Sequence, residues 1–475
     1  MFENFLKTPS YEKPHFKAFF MKESPVSLAA QLSRAMRLSI HSILPVMSSI
    51  LPKSIHKKIV YGYFTQNGYV LMKIGQWLAS RPDIVPFYIC EALSKLHADA
   101  PRHTFPETIK ILQNDQFNLK NLQFESLEPV GSGSIAQVYK LRAKKSKQND
   151  FLSQLRFNFG ISNSEDKKQY ALKVIHPMIK EEVFTDMQIL TTACNMLSKL
   201  PFFNCFDLQN QIKNFKREIL KQINFNHEII NMRLFRHLNK YDSEILIPKP
   251  VKATENVLLI EYMPGKNLQE IVSIQNKSNS SEKNKILAQK MCSHFLKSVF
   301  HDRFLHTDLH PGNLSFINNQ KVIIYDFGLA KYLTQNEYDN FLDLIIASFL
   351  RKSPKEISSL LVKRLADNKN VKLAEFIEQS SGPIEKIVNI VKDGAESPEI
   401  LRNEINQFIS VCNKNKVKFD HKYNNVFMSG ICLDGILKKL DPECTFYRSI
   451  WRQILVHSSV FKIISIYCRE VFKNL

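Results

Sequence analysis

The fold is decided by His306-Thr307-Asp308-Leu309-His310-Pro311-Gly312-Asn313, followed thirteen residues on by Asp326-Phe327-Gly328. Asp308 and Asn313 stand at H-x-D-x-x-x-x-N spacing. That spacing places a carboxylate able to orient or accept a hydroxyl proton near an amide oxygen able to hold a metal. The apolar run Val322-Ile323-Ile324-Tyr325 precedes Asp326. It delivers the aspartate at a strand end, where a carboxylate can hold Mg²⁺ between phosphates.

Towards the N-terminus, Val130-Gly131-Ser132-Gly133-Ser134-Ile135-Ala136-Gln137-Val138 fits G-x-G-x-x-G-x-V, with Ala136 in place of the third glycine. Two glycines let a hairpin bring backbone N–H groups close to phosphate oxygens, although a plain β-turn has the same appearance. Tyr170-Ala171-Leu172-Lys173-Val174 sets one lysine in an apolar strand. An unpaired ammonium buried there costs several kcal/mol, so it requires a phosphate oxygen or a carboxylate. Glu228, in Phe225-Asn226-His227-Glu228, is the candidate carboxylate. Taken singly, Lys173 and Glu228 also read as solvated surface charges. The ordered set of glycine loop, strand lysine, helix glutamate, H-x-D-x-x-x-x-N and D-F-G points to a kinase-like phosphotransferase using ATP (or ADP) and Mg²⁺.

Composition narrows the field. The chain has 475 residues, enough for about three domains or one large two-lobed unit. It is 44% hydrophobic and 23% charged, which excludes a wholly disordered chain. Its net charge of +20 is spread along the sequence without an RNA-recognition, zinc-finger or helix-turn-helix pattern. Nucleic acid is therefore not an expected partner; the excess reads first as solvated lysines spread over the surface, with an anionic membrane surface as the alternative. The 8 cysteines form no C-x-x-C pair, so neither a zinc module nor a disulfide-linked partner is expected. No run of about 18 apolar residues is present. Glu3, Glu12 and Glu23 argue against a secretory or acid-poor transit peptide over residues 1–22, whereas residues 26–45 form an acid-free, presequence-like or amphipathic segment. Glycine is scarce, at 13 of 475 residues, and six of these are expected at a K-x-G-Q turn (Gly75), the glycine loop (Gly131, Gly133), an inter-lobe hinge (Gly265), the catalytic loop (Gly312) and D-F-G (Gly328).

The periodicity predicts one or two helices over 27–51, a long helix over 56–81, and further helices over 87–97 and 104–112. Strands are predicted at 124–130, 135–141, 170–175, 247–253, 257–262, 314–317 and 322–325, with helices at 179–200 and 209–238. Residues 276–285 read as a polar linker, and the chain is mainly helical beyond it. The fold class is α+β, a bilobal plan with an all-α N-terminal extension. The expected division is a targeting-like helical segment 1–55, a helical extension 56–120, a small lobe 121–265 with a loop insert at 143–169, and a helical lobe 266–475.

The H-x-D-x-x-x-x-N loop also occurs in small-molecule phosphotransferases of the aminoglycoside or choline kinase kind. Lys73-Ile74-Gly75-Gln76 upstream of the glycine loop, with His310-Pro311-Gly312-Asn313 in the catalytic loop, decides against that reading. A K-x-G-Q motif in this position strongly resembles the UbiB-type atypical kinases, the aarF-domain family, and most closely its second animal branch. The resemblance runs from about residue 61 to 331.

The resemblance implies a protein-kinase-like fold in which the K-x-G-Q helices cover the site where a protein substrate would dock. It implies that Lys73 and Gln76 point into the nucleotide site and that Lys173 pairs with Glu228. Gly131, Ser132, Gly133, Ser134, Ala136, Val138 and Glu261 would line the nucleotide, with Asp308 catalytic and Asn313 and Asp326 holding metal. Without it, Lys73 and Gln76 would be polar residues of an amphipathic helix. Two departures stand out. The family's alanine-rich nucleotide loop is here Gly131 and Gly133, and its acidic E-x-D pair is here Gln222 and Asn224. Implied partners are a lipid or quinone-type small molecule besides the nucleotide, and the implied location is mitochondrial, in coenzyme Q or lipid biology. The alternative function is a catalytically weak, nucleotide-gated lipid-binding or scaffold pseudokinase.

Overall fold

The computed structural model describes residues 27–79, 85–93, 96, 102–119, 121–144, 168–199, 208–275, 281–318, 320–349, 353–367, 371–393, 398–419 and 421–444. Most of the loop insert at 143–169, the first half of the 276–285 linker and residues 445–475 lie outside them.

The N-terminal helices are α1 (Leu28–Met47), α2 (Lys53–Gln66), α3 (Tyr69–Ala79), α4 (Phe87–Leu93) and α5 (Phe105–Asn114). The single helix expected over 56–81 is two helices, α2 and α3, broken at Asn67-Gly68. Gly68 has φ +95°, and a Cβ there would overlap the Glu182 carboxylate. That carboxylate accepts the Tyr69 N–H at 2.8 Å and so caps the start of α3. Gly75 lies inside α3, not in a turn, and its missing side chain admits Leu96 and Phe64. Leu38 of α1 shares one core with Val60, Phe64, Leu71, Ile89, Leu93 and Leu96 of the helices and segment that follow.

The small lobe is an antiparallel sheet in the order β1 (Leu122–Phe124), β3 (Ala136–Ala143), β4 (Gln169–Ile175), β7 (Val257–Glu261), β6 (Pro250–Ala253), with β2 (Gly131–Ser132) on β3. The strand expected over 124–130 is instead β1 at Leu122–Phe124, which ends where the expected one begins. α5 opens with a capping box from Thr104 and Glu107 and packs Leu112 with Tyr139, Leu141, Leu172 and Leu259. Its apolar side chains thus pack into the core under the sheet.

Helices α6 (Ile179–Leu197), α7 (Leu208–Gln222) and α8 (Phe225–Leu238) follow. The helix expected over 209–238 is divided at Ile223-Asn224 because Asn224 starts α8 as its N-cap, accepting the Asn226 N–H at 3.0 Å. The strand expected over 247–253 is shorter, β6 at Pro250–Ala253, and a separate two-residue strand precedes it. β5 (Ile245–Leu246) leaves the small lobe to pair in parallel with β10 (Lys321–Ile324), itself antiparallel to β9 (Leu314–Ile317).

The large lobe contains α9 (Leu268–Gln275), α10 (Ser281–Lys297), β8 (Phe304–His306), β11 (Ala330–Tyr332), α11 (Gln335–Phe349), α12 (Pro354–Leu365), α13 (Leu373–Asp393), α14 (Pro398–Lys414) and α15 (His421–Leu440). Two-residue strands β12 (Ala366–Asp367) and β13 (Lys418–Phe419) pair beside α12. β8 and β11 pair antiparallel and bracket the catalytic loop and D-F-G; neither was foreseen from the sequence. A continuous core runs from Tyr69 and Val70 through Phe225 and Phe235 to Phe327 and Leu437.

Candidate functional site

Strand register assembles the phosphate side. Gly131 pairs with Val138, and Val138 pairs with Lys173 across β3 and β4, so these three lie in one row. Gly133 N–H donates to the Ala136 carbonyl at 2.8 Å and closes the hairpin, with Ser132 and Ser134 on the loop. The Ser132 hydroxyl is buried with no hydrogen-bond partner. Neither Gly131 nor Gly133 has a positive φ, and no close neighbour excludes a Cβ at either position.

The Lys173 ammonium lies 3.1 and 3.0 Å from the Glu228 carboxylate oxygens and 3.2 Å from Oδ2 of Asp326. Burial opposes the ammonium, but Asp326 and Glu228 outweigh it and raise its pKa. Burial raises Glu228 to about 7, with Lys173 pulling it down and Asp326 pushing it up. Burial also disfavours ionised Asp326, yet Lys173 and then Lys73 hold it well below the usual carboxylate range. Two lysines and two carboxylates thus balance, with Asp326 ionised and Glu228 the group on which a proton would settle.

Asp326 sits at φ +53°, a left-handed conformation that aspartate tolerates at modest cost. Its Oδ1 accepts the Gly328 N–H at 3.1 Å. The next residue is clamped from α8: Phe327 N–H donates to Glu228, and the Phe327 carbonyl accepts from Asn231 Nδ2 at 2.8 Å. The Phe327 ring packs on Phe235 and, edge-on, on His306. His306 accepts the Asp308 N–H on Nδ1 (3.2 Å), so its Nε2–H donates to the Tyr325 carbonyl (3.2 Å). Asn313 is buried, and its amide N–H donates to the Asp308 carbonyl at 2.9 Å, which leaves the acceptor Oδ1 as the atom that could hold a metal. Catalytic loop, D-F-G and α8 are one hydrogen-bonded unit. Asn231 had no role in the sequence reading, because its bond to the distant Phe327 carbonyl leaves no local pattern, and His306 entered it only as the motif's histidine.

The helical extension contributes differently from expectation. Tyr69 is buried, and its hydroxyl donates to Gln222 Oε1 at 2.8 Å. Lys73, one turn further along α3, lies on the same face and adds positive field at Asp326. Gln76 is committed elsewhere: its amide donates to the Leu96 carbonyl at 2.6 Å, fixing α3 to the segment after α4. The carboxylates lost from the family's pair are likewise accounted for locally, since Gln222 holds Tyr69 and Asn224 caps α8. Glu261 ends β7, exposed, and its carboxylate accepts the Lys249 N–H at 3.1 Å; it makes its contacts there and not with the Lys173 cluster.

One relay was not legible at all. His176 Nε2 lies 2.8 Å from the Gly133 carbonyl, which can only accept, so that nitrogen carries the proton. Burial lowers the His176 pKa, so its bare Nδ1 takes the His103 Nδ1–H at 2.8 Å. Burial and then the neighbouring His176 lower His103 to about 4. Its Nε2 accepts from Thr108 (2.9 Å), which accepts from Tyr139 (2.8 Å), whose oxygen accepts from Gln137 Nε2 (2.5 Å). Each donor assigns the next, and the chain ends on the phosphate loop.

Comparison with known proteins agrees with this geometry. The ABC1 atypical kinase-like domain matches residues 162–361. A mitochondrial ABC1 family protein of Schizosaccharomyces pombe is 24% identical over 459 residues, spanning 83% of this chain and 64% of that protein. A probable serine/threonine-protein kinase of Dictyostelium discoideum is 24% identical, spanning 79% of this chain and 61% of that one. This chain spans a little under two thirds of the length of such relatives. A Mycobacterium tuberculosis protein solved with erythromycin superposes with TM-score 0.53 at 17% identity, covering 87% of this chain and 95% of that one, a likeness of fold. The two lobes are those of a protein-kinase-like fold, and residues 162–361 are similar to the ABC1 atypical kinase-like domain.

Proposed function

We propose that the chain binds a Mg²⁺-nucleotide, ATP or ADP, between its lobes. It uses the nucleotide for phosphoryl transfer or hydrolysis on a small or lipid-associated acceptor, in mitochondrial coenzyme Q or lipid homeostasis, rather than to phosphorylate proteins. The observation that carries this is the Lys173 ammonium poised between Glu228 and Asp326. The donor set fits the ligand: an ionised aspartate, an amide oxygen on Asn313, a lysine, and the unpartnered Ser132 hydroxyl in the loop. Among the described residues no three His, Cys, Asp or Glu side chains could hold a metal by themselves. A cation here would need phosphate oxygens to complete its shell, as Mg²⁺ commonly does. Bound Mg²⁺ would spread the charge of the transferring phosphoryl group.

Lys173 would orient the phosphates, and Asp308 would accept the proton of the attacking hydroxyl or water. The mitochondrial relatives in Schizosaccharomyces pombe and Saccharomyces cerevisiae support the location. Hydrolysis of Mg-ATP, with and without lipid or detergent, tests this: Asp308→Asn lowers turnover by roughly 10²-fold or more.

A second reading, a nucleotide-gated scaffold, is favoured by Tyr69 and α3 lying against the site. Nucleotide binding without hydrolysis, and cellular function that survives Asp308→Asn, would select it.

A further inference from the structure

The two sides of α1 differ sharply. Arg34, Leu38, His41, Pro45 and Ser48 follow one helical stripe and face the protein. Arg34 makes paired 2.8 Å bonds to Asp186 of α6, and His41 bonds Asn67 at 2.7 Å. On the opposite stripe, Leu32, Met36, Ile40, Ile43, Leu44 and Met47 are each 58–64% exposed. Ile50, at 83%, and Ile55, at 45%, extend this surface past the end of the helix. Apolar side chains in a continuous exposed row signal a surface that something covers.

The charge around this row says what covers it. No Asp or Glu occurs between Ser24 and Pro82. Arg37, Lys53 and Lys58 are exposed along its margin. A second copy of this face would bring these cations against their like, whereas an anionic headgroup layer pairs with them. An apolar stripe with basic margins on a segment without acids of its own is the pattern of a helix lying in a lipid interface, even with Glu91 pairing Lys57 beside it. No described helix is long and apolar enough to cross a membrane, so docking would be in the plane.

We propose that the outward face of α1, continued through Ile50 and Ile55, docks on an anionic lipid bilayer. The inference does not rest on the nucleotide reading and can fail or stand without it.

The test is sedimentation of the full chain with phosphatidylcholine vesicles, with and without phosphatidylglycerol. The chain binds the anionic vesicles, releases as salt rises, and the variant Ile40→Gln/Ile43→Gln/Leu44→Gln partitions roughly tenfold or more weakly. Because these side chains are exposed, the variant keeps the wild-type unfolding midpoint, which separates lost docking from lost folding. Equal vesicle binding by variant and wild type overturns the proposal. So does absence of binding accompanied by a variant-sensitive dimer. A cysteine placed as Ile40→Cys should react with a polar thiol reagent in free protein and be shielded by anionic vesicles. Shielding without vesicles would mean that protein already covers this face, and would also overturn it.

Discussion

Nδ1 of His103 lies 2.8 Å from Nδ1 of His176, and His176 holds the Gly133 carbonyl through its other nitrogen. The segment leading into α5 is thereby tied to the phosphate loop through two imidazoles that must be neutral. Both have lowered pKa values, His103 to about 4. The unfolded chain takes up these protons near pH 6.5, before the native protein does, so it binds more protons between that value and the native pKa. Stability from the pair is therefore present above about pH 6.5 and is lost as pH falls towards about 4. Urea unfolding across this window should show a shallower acid loss for His103→Gln/His176→Gln than for wild type. Parallel pH profiles would rule the relay out as a titrating unit.

The same relay bears on binding. His176→Ala frees the Gly133 carbonyl, and nucleotide affinity should fall by roughly two- to tenfold, the worth of one positioning hydrogen bond. Calorimetric titration reads this directly, with unchanged affinity as the contrary result.

Lys173 is the sole described ammonium in hydrogen-bond contact with both Glu228 and Asp326. Lys173→Met leaves two carboxylates facing each other in a largely buried site and should destabilise by about 3–5 kcal/mol. Adding Glu228→Gln should recover part of that loss, so the double-mutant cycle is strongly non-additive. Additive losses in denaturant unfolding would contradict the shared-charge arrangement.

Asn231 is a positioning residue for D-F-G, acting on the Phe327 carbonyl and not on substrate. Asn231→Ala should cost about 1–2 kcal/mol of stability. It should also lower kcat more than it raises KM for Mg-ATP, because Asp326 is presented by this segment. A variant that changed KM alone would place Asn231 in binding instead.

Much of this site could be read from sequence because its parts ride on strongly patterned elements. Lys173 stands alone in an apolar strand, Asp326 ends another, and Glu228 sits in the first turn of α8. Periodicity failed where helices continue their apolar rhythm across a break. The α2–α3 break needs the positive φ of Gly68 and the α6 carboxylate of Glu182, a partner more than a hundred residues away. Gln76 was placed in the nucleotide site by its motif, yet the Leu96 carbonyl takes its amide. Only tertiary packing decides between those two acceptors. Asn231 and the His103–His176 pair were invisible for a related reason: each acts on backbone or ring atoms far along the chain, where no spacing rule applies.

The central claim is that Lys173, Asp326 and the glycine loop form a working Mg-nucleotide site. Its most direct test is the thermal unfolding midpoint of the full chain with saturating Mg-ATP and Mg-ADP, for wild type, Lys173→Met and Asp326→Asn. At about 100 times Kd, binding adds roughly 2.7 kcal/mol, enough to raise the wild-type midpoint by several degrees. The account predicts that rise in wild type with at least one nucleotide, and its loss in both variants. No rise with either nucleotide, or an equal rise in Asp326→Asn, would contradict it.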